Sequence, residues 1–418
     1  MKLLVFAHTP PPHHGQSRMI QLLLDGLGGD RGQPRPLAPS TLSPGGGAPG
    51  TGGIECYHVN ARVSEDLADA GTARWIKVPR LLGHCAQAIW RRWRWGVRVF
   101  YYVPAPPKRA SLYRDWLVML CCRPFFRKRV FHWHAVGLGE WLERQAAPWE
   151  RWLGHQLLDG ASLAIVLSKF SRTDAERFRP RRIEVVTNGI ADPCPDFAGS
   201  VAPRRAARLA ARRKLLEGGT PSPAGLVPAG EQPETVQVLF LAHCTRDKGL
   251  FDTVEGVRLA NRELAARRLP LHLNLVVVGG FVTTEERLEF DRILDETGAA
   301  DWVRYAGFVP EPEKLALLRD ADLFCFPTYF ANEGQPANLI EAMAFGLPAV
   351  VTRWRAVPEF IPEGYAGLIE PRQPGQVAAA LLALLTEDGA RFRDVFLTHF
   401  TLDTHLKALA AAIRTCDG

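Results

Sequence analysis

Short apolar runs alternate with longer helical stretches along almost the whole chain, and this alternation restricts the fold more than any other feature of the sequence. Buried strands separated by helices favour parallel, doubly wound sheets. Two such series in 418 residues predict an α/β protein with two Rossmann-like domains. The predicted strands are Lys2–Ala7, Ile54–Val59, Val97–Val103, Val130–His134, Leu163–Leu167 and Ile183–Thr187 in the first series, and Val236–Ala242, Leu271–Val278, Val303–Ala306, Leu323–Pro327, Ala349–Thr352 and Ala366–Ile369 in the second.

A segment rich in Pro, Gly and Arg separates the two series. Its middle, RRAARLAARRKLL (204–216), is typical of a basic helix, and its tail, 218–233, is typical of a flexible connection. A second loop is predicted at Arg31–Gly53. The predicted boundaries are 1–192 for the N-terminal domain, 193–235 for the interdomain linker, 236–398 for the C-terminal domain and 399–418 for a C-terminal helix.

The composition indicates an ordinary globular protein, with 47% hydrophobic and 23% charged residues. The eight cysteines show no paired spacing, and Cys121 and Cys122 are adjacent, which favours reduced thiols in a cytoplasmic protein over a disulfide framework. The apolar start, Met1–Ala7, is too short for the core of a signal peptide and is interpreted as a strand. No apolar run approaches the ~20 residues that a membrane span needs.

Positive charge is concentrated in the first half of the chain. Residues 1–195 hold 27 Lys and Arg against 15 Asp and Glu, a net charge of +12, whereas the remainder has a net charge of −5. Arginines and aromatic residues are mixed at Trp90–Trp95 (WRRWRW) and Arg123–Arg129 (RPFFRKR). This mixture predicts contact with an anionic membrane surface. A solvated helix face with buried tryptophans explains it equally well, and no nucleic-acid-binding module accompanies it.

The stretch after the predicted strand Leu323–Pro327 points to a phosphate-containing ligand. It reads EGQPANLIE from Glu333, and Pro336 suits the first turn of a helix, so a loop should lead into a short helix. Helix amino ends carry unpaired N–H groups and attract phosphate. Glu333 and Glu341 bracket this amino end, and eight residues of helix would separate them by ~12 Å. That distance is the scale of a nucleotide diphosphate carrying a sugar.

With the residues that follow it, this string (EGQPANLIEAMAFGLPAVVT) closely resembles the Glu-x7-Glu signature of retaining glycosyltransferases with two Rossmann-like domains, the GT-B fold. These enzymes are the glycosyltransferase family 4-like proteins, or glycosyl transferases group 1. The resemblance is dense over Val303–Phe360. It implies a nucleotide-sugar donor in a cleft between two facing domains, a glycan or lipid-linked acceptor, and no metal or other cofactor. It also implies that the last helix, Leu402–Arg414, packs back on the N-terminal domain.

The resemblance also assigns roles to single residues. Glu333 would hold the sugar and Glu341 the ribose. Lys248 matches a lysine that binds the diphosphate. The arginine of the same family motif falls on His243, which is a departure, and Arg246 is expected to supply the missing charge. The remaining residues carried over to the donor are Gly15, Gly334, Gln335, Asn338 and Leu339, and His134 is carried over as a catalytic residue that hydrogen-bonds the sugar.

Two short motifs admit other interpretations. His132 and His134 lie on one face of a predicted strand, as metal ligands could, yet no third ligand cluster accompanies them. A core histidine is the alternative there. Asp320-Ala321-Asp322 resembles the metal motif of single-domain glycosyltransferases, but it lies where a helix leads into a buried strand.

The sequence leaves two rival functions open. Nucleotide-sugar epimerases and phosphorylases share the fold, although we find no local signal for either. The change at His243 also permits an inactive scaffold that binds nucleotide. The favoured prediction is a glycosyltransferase in the synthesis of cell-surface polysaccharide or glycolipid, cytoplasmic or at the inner face of the membrane. The base, the sugar and the acceptor stay open.

Overall fold

The computed structural model describes residues 1–11, 15–32, 53–62, 77–219 and 234–416. The chain divides into two compact units. The first comprises Met1–Gly189 and Leu402–Gly418, and the second comprises Ile190–Thr401. The predicted loop Arg31–Gly53 and the flexible tail 218–233 lie mostly outside the described residues.

The described part of the first unit forms one sheet with helices on both faces. Its six parallel strands run in the order β2-β1-β3-β4-β5-β6. The strands are β1 (Lys2–Ala7), β2 (Glu55–Asn60), β3 (Val99–Tyr102), β4 (Lys128–Trp133), β5 (Leu163–Val166) and β6 (Ile183–Val185). The helices are α1 (Gly15–Gly26), α2 (Lys77–Trp95), α3 (Arg109–Cys122), α4 (Leu138–Arg144), α5 (Pro148–Leu158), α6 (Lys169–Glu176) and, at the end of the chain, α14 (Leu402–Arg414).

Two apolar clusters form the core of this unit, one on each face of the sheet. The side chains of α2, α3 and α5 pack on one face, with Leu81, Trp116 and Leu158 among the buried members. Helices α1 and α14 cover the other face, where Leu23 and Ile413 are buried. The last helix therefore completes the core of the first unit.

The second unit repeats the architecture. Its described sheet is parallel, in the order β12-β11-β10-β7-β8-β9. The strands are β7 (Thr235–Leu241), β8 (His272–Val278), β9 (Val303–Gly307), β10 (Leu323–Phe326), β11 (Ala349–Thr352) and β12 (Leu368–Ile369). The helices are α7 (Ala202–Leu216), α8 (Leu250–Ala266), α9 (Thr284–Thr297), α10 (Glu311–Asp320), α11 (Ala337–Ala344), α12 (Pro374–Ala383) and α13 (Ala390–His399). The predicted α/β class is confirmed, and all twelve predicted strands are present within two residues at each end.

The predicted linker differs from the structure, because its described part belongs to the second unit. Ion pairs and hydrogen bonds from the arginines of α7 hold this helix in the second unit. Arg212 and Arg208 bind the two oxygens of Asp322 at 2.5 and 2.9 Å, and Arg204 binds Asp320 at 2.7 Å. Arg205 donates to the carbonyl oxygens of Phe345 and Gly346, and burial lowers the pKa of this arginine to about 10. The Asp-x-Asp motif thus binds arginines of α7.

No helix in the described part of the chain combines the length and the apolar character needed to span a membrane.

Buried histidines of the first unit make its stability sensitive to acid. His58, His132 and His405 lie almost fully inside it. Their hydrogen-bonding partners are the carbonyl of Ala7, the hydroxyl of Tyr101 and the carbonyl of Thr187 respectively. Burial lowers the pKa of all three below the ordinary 6.5, and that of His132 furthest, with the charges of His134 and His405 lowering it more.

We therefore predict that the free energy of unfolding falls as pH decreases below 6.5, the ordinary histidine pKa. Below that value the unfolded chain binds protons that the folded histidines still exclude, which favours unfolding. Thermal midpoints measured between neutral and mildly acidic pH check this. His132→Asn keeps a polar atom beside Tyr101 and should reduce the slope. An unchanged slope in this variant would show that His132 does not contribute.

Candidate functional site

The order in which strands are added to the second sheet reverses between β7 and β10. The candidate site lies at this point. From β7 the chain continues outward through β8 and β9, whereas β10 leads to β11 and β12 on the other side. In open α/β sheets, ligands bind beyond the carboxyl ends of the strands at such a switch point. The loops that follow β7 and β10 are the ones that hold most of the predicted donor-binding residues.

Lys248, after β7, and Glu333, after β10, form an ion pair at this point. The Lys248 Nζ lies 2.7 Å from the Glu333 Oε2, and the two side chains are only 17% and 8% exposed. The hydroxyl of Thr328 donates to the same carboxylate oxygen at 2.9 Å. The ammonium also lies 4.3 Å from the centroid of the Phe330 ring. The structure therefore brings two residues from separate sequence motifs into one contact.

The two loops approach each other closely because of a glycine. Gly249 follows Lys248 with a φ of +82°, and a Cβ atom there would lie 2.4 Å from the carbonyl oxygen of Pro327. Only glycine fits this conformation and this distance. The β10 loop is braced on its other side by Thr352, whose hydroxyl donates to the carbonyl of Thr328. Trp354 Nε1 donates to the carbonyl of Phe330 at 2.7 Å.

Helix α11 begins beside this ion pair. It starts at Ala337, with Pro336 as the residue before it, so Glu333 lies in the preceding loop. The predicted eight residues of helix between Glu333 and Glu341 are therefore wrong. Asn338 explains how the helix is placed, because its Nδ2 donates to the carbonyl of Leu241, the last residue of β7, at 2.7 Å.

The other residues predicted on this segment are buried. Gly334, Gln335 and Leu339 lie within the loop and the first turn of α11. The backbone N–H of Leu339 donates to the Asn338 Oδ1 at 2.9 Å. A free helix amino end is thus partly satisfied by its own asparagine.

Glu341 has a partner that the sequence did not reveal. Its Oε1 lies 2.7 Å from the Nζ of Lys314, on α10, and both side chains are 17% exposed. The two residues are 27 positions apart, with no motif that links them. Only the packing of α10 beside α11 could have identified this pair.

His243 lacks the charge of the family arginine that it replaces, and Arg246 differs from its predicted role as the source of the missing charge. Burial, followed by the charge of Lys248, lowers the pKa of His243, so its imidazole is neutral at neutral pH. Arg246 pairs with Glu289 on α9, and its guanidinium stacks 4.5 Å from the centroid of the Phe251 ring. Lys248 therefore contributes positive charge at the switch point, while Arg246 pairs with Glu289.

The two candidates in the first unit lie at the carboxyl edge of its sheet. Gly15 begins α1, which follows β1, and the neighbouring residues 12–14 of the predicted glycine loop lie outside the described residues. His134 directly follows β4, and its ring centroid lies 4.2 Å from that of His132. His132 is buried against Tyr101, so it is the core histidine of the two.

Three comparisons identify what the chain is similar to. Residues 236–387 match the family model described as Glycosyl transferases group 1. WcaL of Salmonella typhimurium, named for colanic acid biosynthesis, is 31% identical over 152 residues, which is 35% of this chain and 35% of that protein. O-antigen chain mannosyltransferase B of Escherichia coli is 26% identical over 57% of this chain and 55% of that protein. The chain thus matches about a third to a half of the length of these relatives.

The fold as a whole also has solved counterparts. The structure of Anabaena Alr3699/HepE in complex with UDP has a TM-score of 0.63 and 15% identity, with 99% of this chain and 100% of that chain covered. At this identity the likeness concerns the fold alone. The chain therefore has the GT-B fold, and residues 236–387 of its second unit match the Glycosyl transferases group 1 model.

Proposed function

We propose that the chain is a retaining glycosyltransferase that moves a sugar from a nucleotide-diphosphate sugar to a glycan or lipid-linked acceptor. The observation that carries this proposal is the Lys248–Glu333 ion pair at the switch point of the second sheet. The relatives named for colanic acid and O-antigen synthesis support a role in cell-surface polysaccharide or glycolipid synthesis. The UDP bound to HepE supports a nucleotide donor.

In the proposed complex, the diphosphate lies against Lys248 and the amino end of α11. A departing diphosphate gains negative charge as its bond to the sugar breaks, and a preorganised cation stabilises that charge. The Lys248 ammonium is already held in place by Glu333 and by the Phe330 ring, so it needs little reorganisation. His243 adds a neutral hydrogen-bonding group beside it.

The two carboxylates would hold the two sugars of the donor. Within the described part of the chain, Lys248 and Thr328 both donate to Oε2 of Glu333, so Oε1 can accept from a hydroxyl of the transferred sugar. Glu341 would accept from the ribose, with Lys314 holding its other oxygen in position. His134 is proposed to hydrogen-bond the sugar, as the family resemblance implies.

The reaction would proceed on one face of the sugar. The bond from the anomeric carbon to the phosphate oxygen breaks, and the bond to the acceptor oxygen forms on the same side. The acceptor's proton passes to the departing phosphate oxygen, and the enzyme mainly stabilises developing charge. The proposed steps use neither a metal nor another cofactor. We propose that the enzyme acts in the cytoplasm.

Measurements of nucleotide binding compare the contributions of Lys248 and Arg246 to binding the diphosphate. Lys248→Ala should weaken the binding of a nucleoside diphosphate by about 1.5–3 kcal/mol, the range for a lost hydrogen bond to a charged group. Arg246→Ala, matched in charge, should have a smaller effect because that guanidinium pairs with Glu289. Calorimetric titration with UDP, GDP and ADP measures both. Equal losses in the two variants would contradict the assignment.

A control separates binding from stability in this experiment. Removing Lys248 alone leaves the largely buried Glu333 carboxylate without its ion-pair partner, which destabilises a protein. The double variant Lys248→Ala/Glu333→Gln removes both charges. It should recover thermal stability while nucleotide binding stays weak.

His243 provides a gain-of-binding test. His243→Arg should strengthen diphosphate binding by about tenfold, because a guanidinium adds a charge-assisted contact that a neutral imidazole does not make. The same titrations measure it. His243→Gln, which keeps a neutral hydrogen-bonding group, should bind close to the unchanged protein. If the arginine variant bound no better, the imidazole would not face the diphosphate.

The stereochemistry of the product tests the mechanism. An α-linked donor should give an α-linked product, Glu333→Gln should lower kcat more than donor affinity, and chelators should leave the rate nearly unchanged. NMR of the anomeric proton in the product decides it, and a β linkage would refute retention. Donor turnover with and without acceptor separates transfer from epimerisation, from phosphorolysis and from an inactive scaffold.

A further inference from the structure

One side of the first unit is formed by α2, α3 and α5. Their inward side chains belong to the same apolar cluster on one face of the sheet. Helix α3 lies between the other two, because it packs against both α2 and α5. The outward faces of these helices therefore form one continuous surface of the unit.

This surface exposes large apolar side chains from all three helices. Two tryptophans of α2 and two of α5 are more than half exposed, as is one leucine of α3. The Tyr113 ring of α3 lies 6.1 Å from the Trp149 ring, which joins α3 to α5. The members of this aromatic face are Trp90 (56% exposed), Trp93 (71%), Tyr113 (40%), Leu120 (55%), Trp149 (57%) and Trp152 (65%). Grouped exposed apolar residues mark interaction sites, unlike scattered ones.

The surroundings of the aromatic face are strongly basic. Residues 77–129, which include α2 and α3, contain thirteen Lys and Arg and one acidic residue, Asp115. Asp115 is buried, where it accepts hydrogen bonds from the Tyr102 hydroxyl and the Ala105 amide, both at 2.7 Å. The surface of this segment therefore shows positive charge without a compensating exposed carboxylate of its own.

The arginines of WRRWRW contribute less exposed positive charge to the aromatic face than the sequence suggests. Arg91 is 3% exposed and pairs with Asp30 at 3.3 Å. Arg92 donates to the carbonyl of Val97 at 3.1 Å. Arg94 is exposed. The exposed tryptophans beside these arginines therefore determine the properties of the aromatic face more than the three charges alone.

We propose that the aromatic face binds the surface of an anionic lipid bilayer. Indole rings combine an apolar body with one N–H donor and are enriched at the level of lipid headgroups. Lysines and arginines around them add attraction to anionic headgroups. A second copy of the chain would present the same positive charge and be repelled. The inference is independent of sugar transfer, since it concerns a surface with no part in the proposed chemistry.

Vesicle binding by the full chain tests the proposal without any donor or acceptor. The protein should co-sediment with vesicles of phosphatidylcholine plus phosphatidylglycerol, more weakly with phosphatidylcholine alone, and less as salt increases. Trp90→Ala/Trp93→Ala and Trp149→Ala/Trp152→Ala should each bind about tenfold more weakly, because each removes two apolar anchors. Equal binding by these variants and the unchanged protein would overturn the proposal, as would no binding at all.

A matched control comes from the second unit. Leu288 and Leu397 are exposed there at 64% and 46%, and Leu288→Ala/Leu397→Ala should bind vesicles like the unchanged protein. Thermal melts check that each variant is folded, and the single variants Trp93→Ala and Trp152→Ala replace any double variant that is not. Sedimentation velocity tests the alternative that a second copy of the chain binds to the aromatic face. A dimer that the tryptophan variants abolish, without lipid binding, would make the face an interface between copies and refute the lipid proposal.

Discussion

The candidate site depends on the switch point of the second sheet, where the order in which strands are added reverses. Strands β7 and β10 are neighbours there, although more than eighty residues separate them in the chain. Their following loops lead away to opposite sides, and the space between them is where Lys248 meets Glu333. Gly249 permits this approach, and Asn338 fixes α11 to the end of β7. The chemistry of the site thus follows from topology first and from residue type second.

Buried ion pairs serve two different purposes in the second unit. Asp322 binds two arginines of α7 and the amide of Gln237, which places a buried carboxylate between two cations and holds a helix in place. The pairs at the switch point are less enclosed, and one oxygen of each carboxylate lies outside the pair. A carboxylate enclosed by two cations specifies structure, whereas one that is paired through a single oxygen can still accept hydrogen bonds from a ligand.

Much of this arrangement could be predicted from the sequence. The strands were identifiable because parallel strands are continuously apolar, and the string from Glu333 to Glu341 identified the neighbourhood of the site. Contacts between distant segments could not be predicted in the same way. Lys314 lies on a helix without any motif, and Arg246 turns to Glu289 only because α9 is beside it. The linker was misplaced for the same reason, since the partners of its arginines are over a hundred residues away.

The pairing of Lys248 with Glu333 and of Lys314 with Glu341 has a consequence for any ligand that enters this site. Each cation is paired with a carboxylate, so binding an anion is an exchange of partners rather than the capture of a free charge. Such an exchange is favourable only if the ligand offers an acceptor for the lysine and, at the same time, a donor for the carboxylate. Phosphate alone meets the first requirement, and a hydroxyl alone meets the second. A molecule that carries a phosphate and a hydroxyl at the correct separation should therefore bind in preference to a molecule with only one of them. The two ion pairs thus make the site selective for ligands that combine both groups.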